Sequence, residues 1–387
     1  MPNRLKIDIV LVPLLAAVTV VLYANTFDSP FALDDYHNII ANRPIRITEI
    51  SLETLSEIVQ NSLLERRPVA NISLALNYYF HQYDVTGYHL VNIAIHVLNG
   101  ILLYFFIHFT LNFAPGSLSP QNKGLIAFSA ALMWLVHPLQ TQSVTYIIQR
   151  MNSLAAMFYL LSFMFYIWAR ISKHKLVIFT MACGALAAGI LAIGSKENAV
   201  MLPVFILLYE WYFFQDLRFD LKKHHYLILG ILILFLLAAV FFYLGTNPLN
   251  VVAGYGGRDF NLQERLLTQL RVVVSYVTMV LYPLPSRLTL EHDFPLSYSL
   301  VNPLTTLFSL FALTGITAAA LLLSKRERIL SFCLLWFLGN LLIESSIIPL
   351  EIIFEHRTYL PAMMLVFLFV FIAFRLIGNN LVKILLL

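Results

Sequence analysis

The feature that most limits this chain is a series of apolar runs, each near the length of a membrane-crossing helix, joined by short polar stretches. A helix crossing the hydrocarbon core needs about 20 predominantly apolar residues. Such runs cover residues 7–23, 89–111, 125–136, 154–169, 176–193, 199–214, 226–244, 304–323, 329–343 and 362–377. The run at 125–136 is short and is expected to extend in both directions. Only 12% of the residues are charged, against about 25% in a typical soluble domain. That is too few to wet the surface of a soluble fold, so most of the chain is expected to face lipid. The expected fold class is all-α, a polytopic membrane helical bundle of about 10–11 membrane segments. Residues 1–387 are read as one transmembrane domain, with 25–88 as its polar first loop outside the membrane. Arg4 and Lys6 precede the first run as in a secretory signal, but no small-residue cleavage site follows, so that run is read as a retained span.

An eleventh run, 266–284, carries Arg271 and decides the topology. Cytoplasmic loops are enriched in Lys and Arg. Arg4 and Lys6, Lys123, Arg170 with Lys173 and Lys175, Arg218 with Lys222 and Lys223, Lys325 with Arg326 and Arg328, and Arg375 with Lys383 share one side only if 266–284 does not cross. This run is therefore expected to be re-entrant, horizontal or a broken half-span. In that orientation Lys196 is the one lysine on the outer side, where arginines collect. The planar arginine fork suits phosphate or carboxylate, although a general excess of arginine would give the same asymmetry. The net charge of +4 is small and dispersed, which excludes a nucleic-acid stripe. Cys183 and Cys333 sit inside apolar runs and imply neither a disulfide framework nor a metal site.

Polar residues gather where the runs emerge on the outer side. Asp34 and Asp35 follow the first run; like charges in apolar surroundings raise at least one pKa, as a general base requires, while a loop-capping pair is the plain alternative. Glu65, Arg66 and Arg67 precede Pro68. His89, Asn92, His96 and Asn99 recur at helical spacing on one face, which points them into a bundle interior or cavity. No third ligand accompanies the histidines, so no metal is expected. His137-Pro138 and Arg150 follow, then Lys196-Glu197 in a tight turn, where the two charges could simply pair. Arg287, Glu291, His292 and Asp293 form a further cluster. Glu344, Glu351 and Glu355-His356-Arg357 lie between two apolar runs with too little spacer for a solvated loop and are expected to line a cavity. Residues 52–59 are amphipathic and are expected to lie on the membrane surface. The stretch 245–263, with Gly254, Gly256 and Gly257, reads as a mobile loop.

At these residues the chain resembles a known group. The set Leu33-Asp34-Asp35, Arg67-Pro68, Gly87-Tyr88-His89-x-x-Asn92-x-x-x-His96, His137-Pro138, Arg150, Lys196-Glu197 and Glu355-His356-Arg357-x-Tyr359-Leu360-Pro361 looks like the transmembrane and tetratricopeptide-repeat-containing protein O-mannosyltransferases and their bacterial relatives, in the GT-C superfamily. The resemblance runs from the first apolar run to the Tyr359-Leu360-Pro361 element. Asn152 stands where that family usually shows an aspartate, and no repeat domain of the kind many members carry follows the last run, so the clue such a domain gives to a protein acceptor is missing.

The resemblance implies a membrane glycosyltransferase that moves a sugar from a polyprenyl-phosphate donor to a hydroxyl acceptor, protein Ser/Thr or glycan, on the non-cytoplasmic face. A bacterial inner membrane is favoured over an ER-type membrane. No cofactor is implied; the lipid-linked sugar is the substrate, and the other partners are the acceptor and membrane lipid. A phosphate leaving group needs a nearby cation rather than a general acid, and a weak hydroxyl nucleophile gains from one carboxylate base, which fits a single inverting displacement. By resemblance, Asp35 is the expected catalytic base, with Asp34 the second choice. Arg357, Arg150 and Lys196 are expected at the donor phosphate. His89, His137, Glu197, Glu355, His356 and Tyr359 are expected to shape the pocket. The competing class is a lipid-linked sugar flippase, which would carry polar residues through the span middles toward both faces; a non-catalytic assembly subunit is the third reading.

Overall fold

In lipid every backbone N–H and C=O must be paired within the protein, so apolar runs of this length can only become helices. The computed structural model describes residues 2–64, 66–114, 116, 118–218 and 254–377, which are mostly helical, with no strand among them. The apolar run at 226–244 lies outside the described residues. Among the described residues, six helical stretches are long and apolar enough to cross a membrane: Ile9–Thr26, Val85–Phe113, Ile147–Ile171, Lys175–Ser195, Thr305–Leu322 and Glu355–Leu376. A seventh is a broken pair, Pro120–Leu135 and Pro138–Thr145, bent by 55°. The chain is a multi-pass membrane protein built as a helical bundle.

Where the sequence reading treats the chain as one domain, the structure divides into two compact units. Unit 1 comprises Met1–His108 and Ala127–Ala199. Helix α1 (Pro2–Tyr23) leads into a polar segment that carries α2 (Leu52–Asn61) and α3 (Pro68–His81). The segment 25–88 is thus largely folded. Ser51 starts α2 by accepting from the amide of Thr54 while the Thr54 hydroxyl accepts from the amide of Ser51, a reciprocal cap. The segment owes its order to a core of its own, in which Phe31, Ile39, Ile45 and Ile58 pack with Leu74, Tyr88 and Ile148. Helix α4 starts at Val85 and runs to Phe113, and α5 is Pro120–Leu135. The short run at 125–136 therefore extends toward its N-terminus, but not beyond Leu135.

There Pro138, which has no N–H, ends the ladder. The groups it strands are met locally: Nε2 of His96 bonds to the carbonyl of Leu135 at 3.0 Å, and the amide of Leu139 donates to Nδ1 of His137 at 3.2 Å. After the short α6 (Thr141–Thr145), α7 (Arg150–Ile171) and α8 (Lys175–Ser195) pack closely as an antiparallel pair. Gly194 on α8 allows α3 to approach, since a Cβ there would meet Cγ2 of Val69 at 2.8 Å.

Unit 2 comprises Phe109–Ile126 and Val200–Leu387. The run expected at 199–214 is not one span. It consists of the 3-10 turn Glu197–Met201, α9 (Leu202–Tyr209) and a π-turn over Glu210–Phe214. Pro203 explains the first break, because proline is accepted in the first turn of a helix but not inside one. Then follow α10 (Leu262–Leu281), α11 (Thr305–Leu322), α12 (Arg328–Leu341) and α13 (Tyr359–Ile377). Helices α10 to α13 pack in sequence, and α10 also meets α13. Helix α10, which contains the problematic run, is not among the six long apolar helices. Its Arg271 donates to the carbonyl of Pro295 at 2.8 Å and lies over the Phe294 ring. The glycine-rich stretch, read from sequence as mobile, is tied down over 254–258. Tyr255 donates its hydroxyl to the carbonyl of Ile347 at 2.7 Å, and Arg258 pairs with Glu351.

Candidate active site

The Asp34–Asp35 turn in unit 1 starts from a strained residue. Leu33 has φ +42°, in the left-handed region that leucine rarely occupies, and such conformations persist where the surroundings over-determine them. Here the surroundings hold Asp35. Its side chain is 1% exposed, Oδ2 accepts from the amide of Ala32 at 3.0 Å, and Oδ1 accepts from the amide of Ile148 at 2.8 Å. Burial pushes the Asp35 carboxyl up to about 6; the amide hydrogen bonds oppose that rise and the neighbouring Asp34 charge adds to it. Asp34 differs in every respect. It is exposed, and its amide donates to the Tyr146 hydroxyl at 2.7 Å. The same phenol also bonds to the Asp34 side chain. The turn thus presents one exposed carboxylate and spends the other on fastening itself to the start of α7.

Arg150, expected at a phosphate, is 0% exposed. Its Nε donates to Oδ1 of Asn92 at 2.7 Å, and Nη2 to Oδ1 of Asn77 at 2.6 Å and the carbonyl of Tyr88 at 2.9 Å. Nη1 points at the carbonyl and hydroxyl oxygens of Ser73 at 3.2 and 3.5 Å, and the guanidinium lies over the Tyr88 ring. A guanidinium has five N–H donors, and each is directed at a protein oxygen. In this structure Arg150 holds α3, α4 and α7 together and has no donor left for a phosphate.

The helical face read from sequence is internal: His89, Asn92, His96 and Asn99 are all fully buried on α4. Nε2 of His89 bonds to the carbonyl of Ser29 at 2.9 Å, tying α4 to the segment that leads into the Asp turn. Asn92 donates to the carbonyls of Val144 and Ile147, beside Tyr146. His137 serves the bend of α5. Lys196 and Glu197 each reach another element. Glu197 takes both oxygens to Nε of Arg67, at 3.1 and 3.0 Å, and Lys196, nearly buried, donates to Oδ1 of Asn152 at 3.2 Å. Among the residues expected from sequence, unit 1 therefore gathers Asp34, Asp35, Arg150, His89, His137, Lys196 and Glu197.

Unit 2 holds the rest. Glu355, His356, Arg357 and Thr358 form a buried 3-10 turn that enters α13 at Tyr359. Oε1 of Glu355 accepts from the amide of Thr289 at 2.6 Å and meets Nε2 of His292 at 3.0 Å. His356 stacks on Phe354, and Arg357 lies over the same ring while donating to the carbonyl of Ile352 at 3.2 Å. The Tyr276 hydroxyl donates to the carbonyl of Phe354 at 3.0 Å and accepts from its amide at 3.1 Å. Arg265, 0% exposed, is directed at the carbonyls of Glu344, Ser346, Leu350 and Glu351 and so shapes the chain leading to this turn.

Sequence reading missed Tyr146, Tyr276 and Arg265 as members of these arrangements, and Gln269, which donates to the carbonyl of Ile352 at 2.7 Å. A signal existed for Arg265 alone, a cation next to an apolar run that must find oxygen. The tyrosines give none, because each is set in place by bonds to backbone groups.

Comparison with known proteins places the chain beside one group. It is 30% identical over 175 residues to protein O-mannosyl-transferase TMTC4 of Homo sapiens, covering 41% of this chain and 23% of that protein. It is 26% identical over 206 residues to protein O-mannosyl-transferase F38B6.6 of Caenorhabditis elegans, covering 50% and 27%. It is 26% identical over 259 residues to protein O-mannosyl-transferase tmtc2 of Xenopus laevis, covering 60% and 29%. The matches thus span under a third of these relatives' length. No family model and no solved structure matches the chain. The resemblance read from the motifs is present as sequence similarity over part of the chain.

Proposed function

We propose that this chain is a membrane glycosyltransferase that moves a sugar, on the precedent of the relatives a mannose, from a polyprenyl-phosphate donor to a hydroxyl acceptor on the non-cytoplasmic face. The observation that carries the reading is the division of labour at the first turn. Asp35 is buried and bonded to two amides, while Asp34 is exposed beside it on a strained, fastened backbone. A general base must reach the proton it removes, and Asp34 has that access. We therefore assign the base to Asp34 and the positioning role to Asp35, the reverse of the order expected from sequence. Tyr146 holds Asp34 by its amide and its side chain.

The chemistry needs little more. As the acceptor oxygen attacks the anomeric carbon, Asp34 takes its proton and the glycosyl–phosphate bond breaks, leaving the lipid phosphate as an anion. One carboxylate and one displacement give inversion. The developing charge on the phosphate calls for a fixed cation. With the donors of Arg150 committed within unit 1, Lys196 is the cation of that unit that we assign to it. The bond from Lys196 goes to a neutral amide, Asn152, where the family usually places an aspartate. Purified protein in lipid, given a labelled polyprenyl-phosphate mannose and a hydroxyl acceptor, tests the reading. Transfer that disappears in Asp34→Asn supports it. Movement of the donor across the bilayer without transfer would establish a flippase instead.

A further inference from the structure

Unit 2 also contains a cavity of about 340 Å³ remote in sequence from the residues discussed so far, at the end of α4, the starts of α5 and α12 and the end of α13. Phe371 and Phe374 give it an apolar wall, and Lys123, Arg326, Arg328 and Arg375 bring cations to it. Two of these are matched. Arg375 donates to Oε2 of Glu327 at 2.6 Å, and Arg328 pairs with Asp216 and points at the carbonyl of Tyr212. The other two are not. Lys123 donates to the neutral amide oxygen of Asn112 at 3.3 Å, and Arg326 is exposed and makes no ion pair among the described residues. The N-cap of α12, Glu327, gives no side-chain hydrogen bond to the first turn, so the amides at that end, with their partial positive charge, add to the excess.

We propose that this cavity binds the phosphate-bearing headgroup of an anionic phospholipid, with its acyl chains against the phenylalanine wall. The chemistry asks for an anion, because two cations in a partly enclosed site lack a counter-charge. The setting asks for a lipid, because the cavity lies where long apolar helices end and half of its lining is aromatic and aliphatic. Basic pockets between helices on the cytoplasmic side attract anionic headgroups in this way. On the positive-inside reading this is the cytoplasmic end of the bundle, the leaflet where such lipids carry the negative surface potential.

Native mass spectrometry of the full chain from mixed phosphatidylglycerol and phosphatidylcholine, together with thermal unfolding in each lipid alone, tests the site. The wild type should retain phosphatidylglycerol preferentially and unfold at higher temperature in it. The exposed double variant Lys123→Gln/Arg326→Gln should lose that preference by about ten-fold. Lys123→Arg/Arg326→Lys, which keeps both charges, should retain it. Loss of two cations elsewhere on the same predicted side, Lys173→Gln/Lys175→Gln, should leave it intact. The proposal is overturned if the Gln variant keeps the wild-type preference, or if the Lys173/Lys175 variant loses as much, since that would be general surface charge. It is also overturned if inorganic phosphate in pure phosphatidylcholine reproduces the thermal shift in full, which would make the site one for free phosphate.

Discussion

The Asp34–Asp35 turn of unit 1 and the Glu355–Thr358 turn of unit 2 are built alike and finished differently. The first follows α1 in the chain, and the second joins directly onto α13. Each fixes a buried carboxylate with a backbone amide from a distant segment, Ile148 in one case and Thr289 in the other. Each is held by one tyrosine hydroxyl bonded to backbone, Tyr146 and Tyr276. The turn in unit 1 then leaves Asp34 exposed, whereas all four residues of the turn in unit 2 are buried. The same fastening therefore serves two ends: one turn displays a carboxylate, and the other is enclosed.

The comparison breaks most readily at Asp34. Asp34→Asn should reduce sugar transfer by about 10²–10⁴-fold, the range for loss of a general base, with thermal unfolding unchanged. Near-wild-type transfer would remove the distinction between the two turns. Arg150 comes next. Arg150→Met keeps bulk but strands the oxygens of Asn92, Asn77 and Tyr88, so it should destabilise unit 1 by about 3 kcal/mol or more, seen as a lower unfolding temperature before any donor is added. A variant as stable as wild type but with weaker donor saturation would return Arg150 to the phosphate.

Asp35 sharpens the contrast through pH. Burial raises its carboxyl to about 6 from 3.8, so the folded state favours the protonated form. The resulting stabilisation is complete below about pH 4 and is lost as pH rises to about 6, a change of about 3 kcal/mol. The difference in unfolding temperature between wild type and Asp35→Asn should shift across that window and be flat above it. A flat difference throughout would mean the carboxyl is not desolvated. The smallest effect belongs to the tyrosines. Tyr146→Phe and Tyr276→Phe should each cost about 1 kcal/mol of stability. Tyr146→Phe alone should also lower transfer, because it alone touches the residue assigned as base.

Much of this was legible in the sequence, and the limits have a physical cause. Hydropathy finds a helix because lipid enforces one, so the runs that became α1, α4, α7, α8, α11 and α13 could be read directly. It failed at 199–214, where Pro203 interrupts an apolar run; the run in α10, set apart in the sequence by Arg271 and the charge pattern, is not among the long apolar helices. The polar face of α4 was legible because four residues repeat at helical spacing. What could not be read was which of two adjacent aspartates is buried, or that Arg150 is saturated. The first depends on where backbone amides point, which are the same at every position, and the second on which distant segments supply the oxygens around the guanidinium.

The bend after α5 has a consequence for how the protein is made. The break at Pro138 turns the Leu139 amide to His137, so the Leu135 carbonyl has no partner in its own helix and takes one from His96 of α4. Until those two segments meet, that oxygen would face hydrocarbon unpaired at several kcal/mol. The hairpin of α4 and α5 is therefore best delivered to the bilayer as one piece. A substitution at His96 should show itself first as poor insertion of the newly made chain, before any defect in the finished protein could be measured.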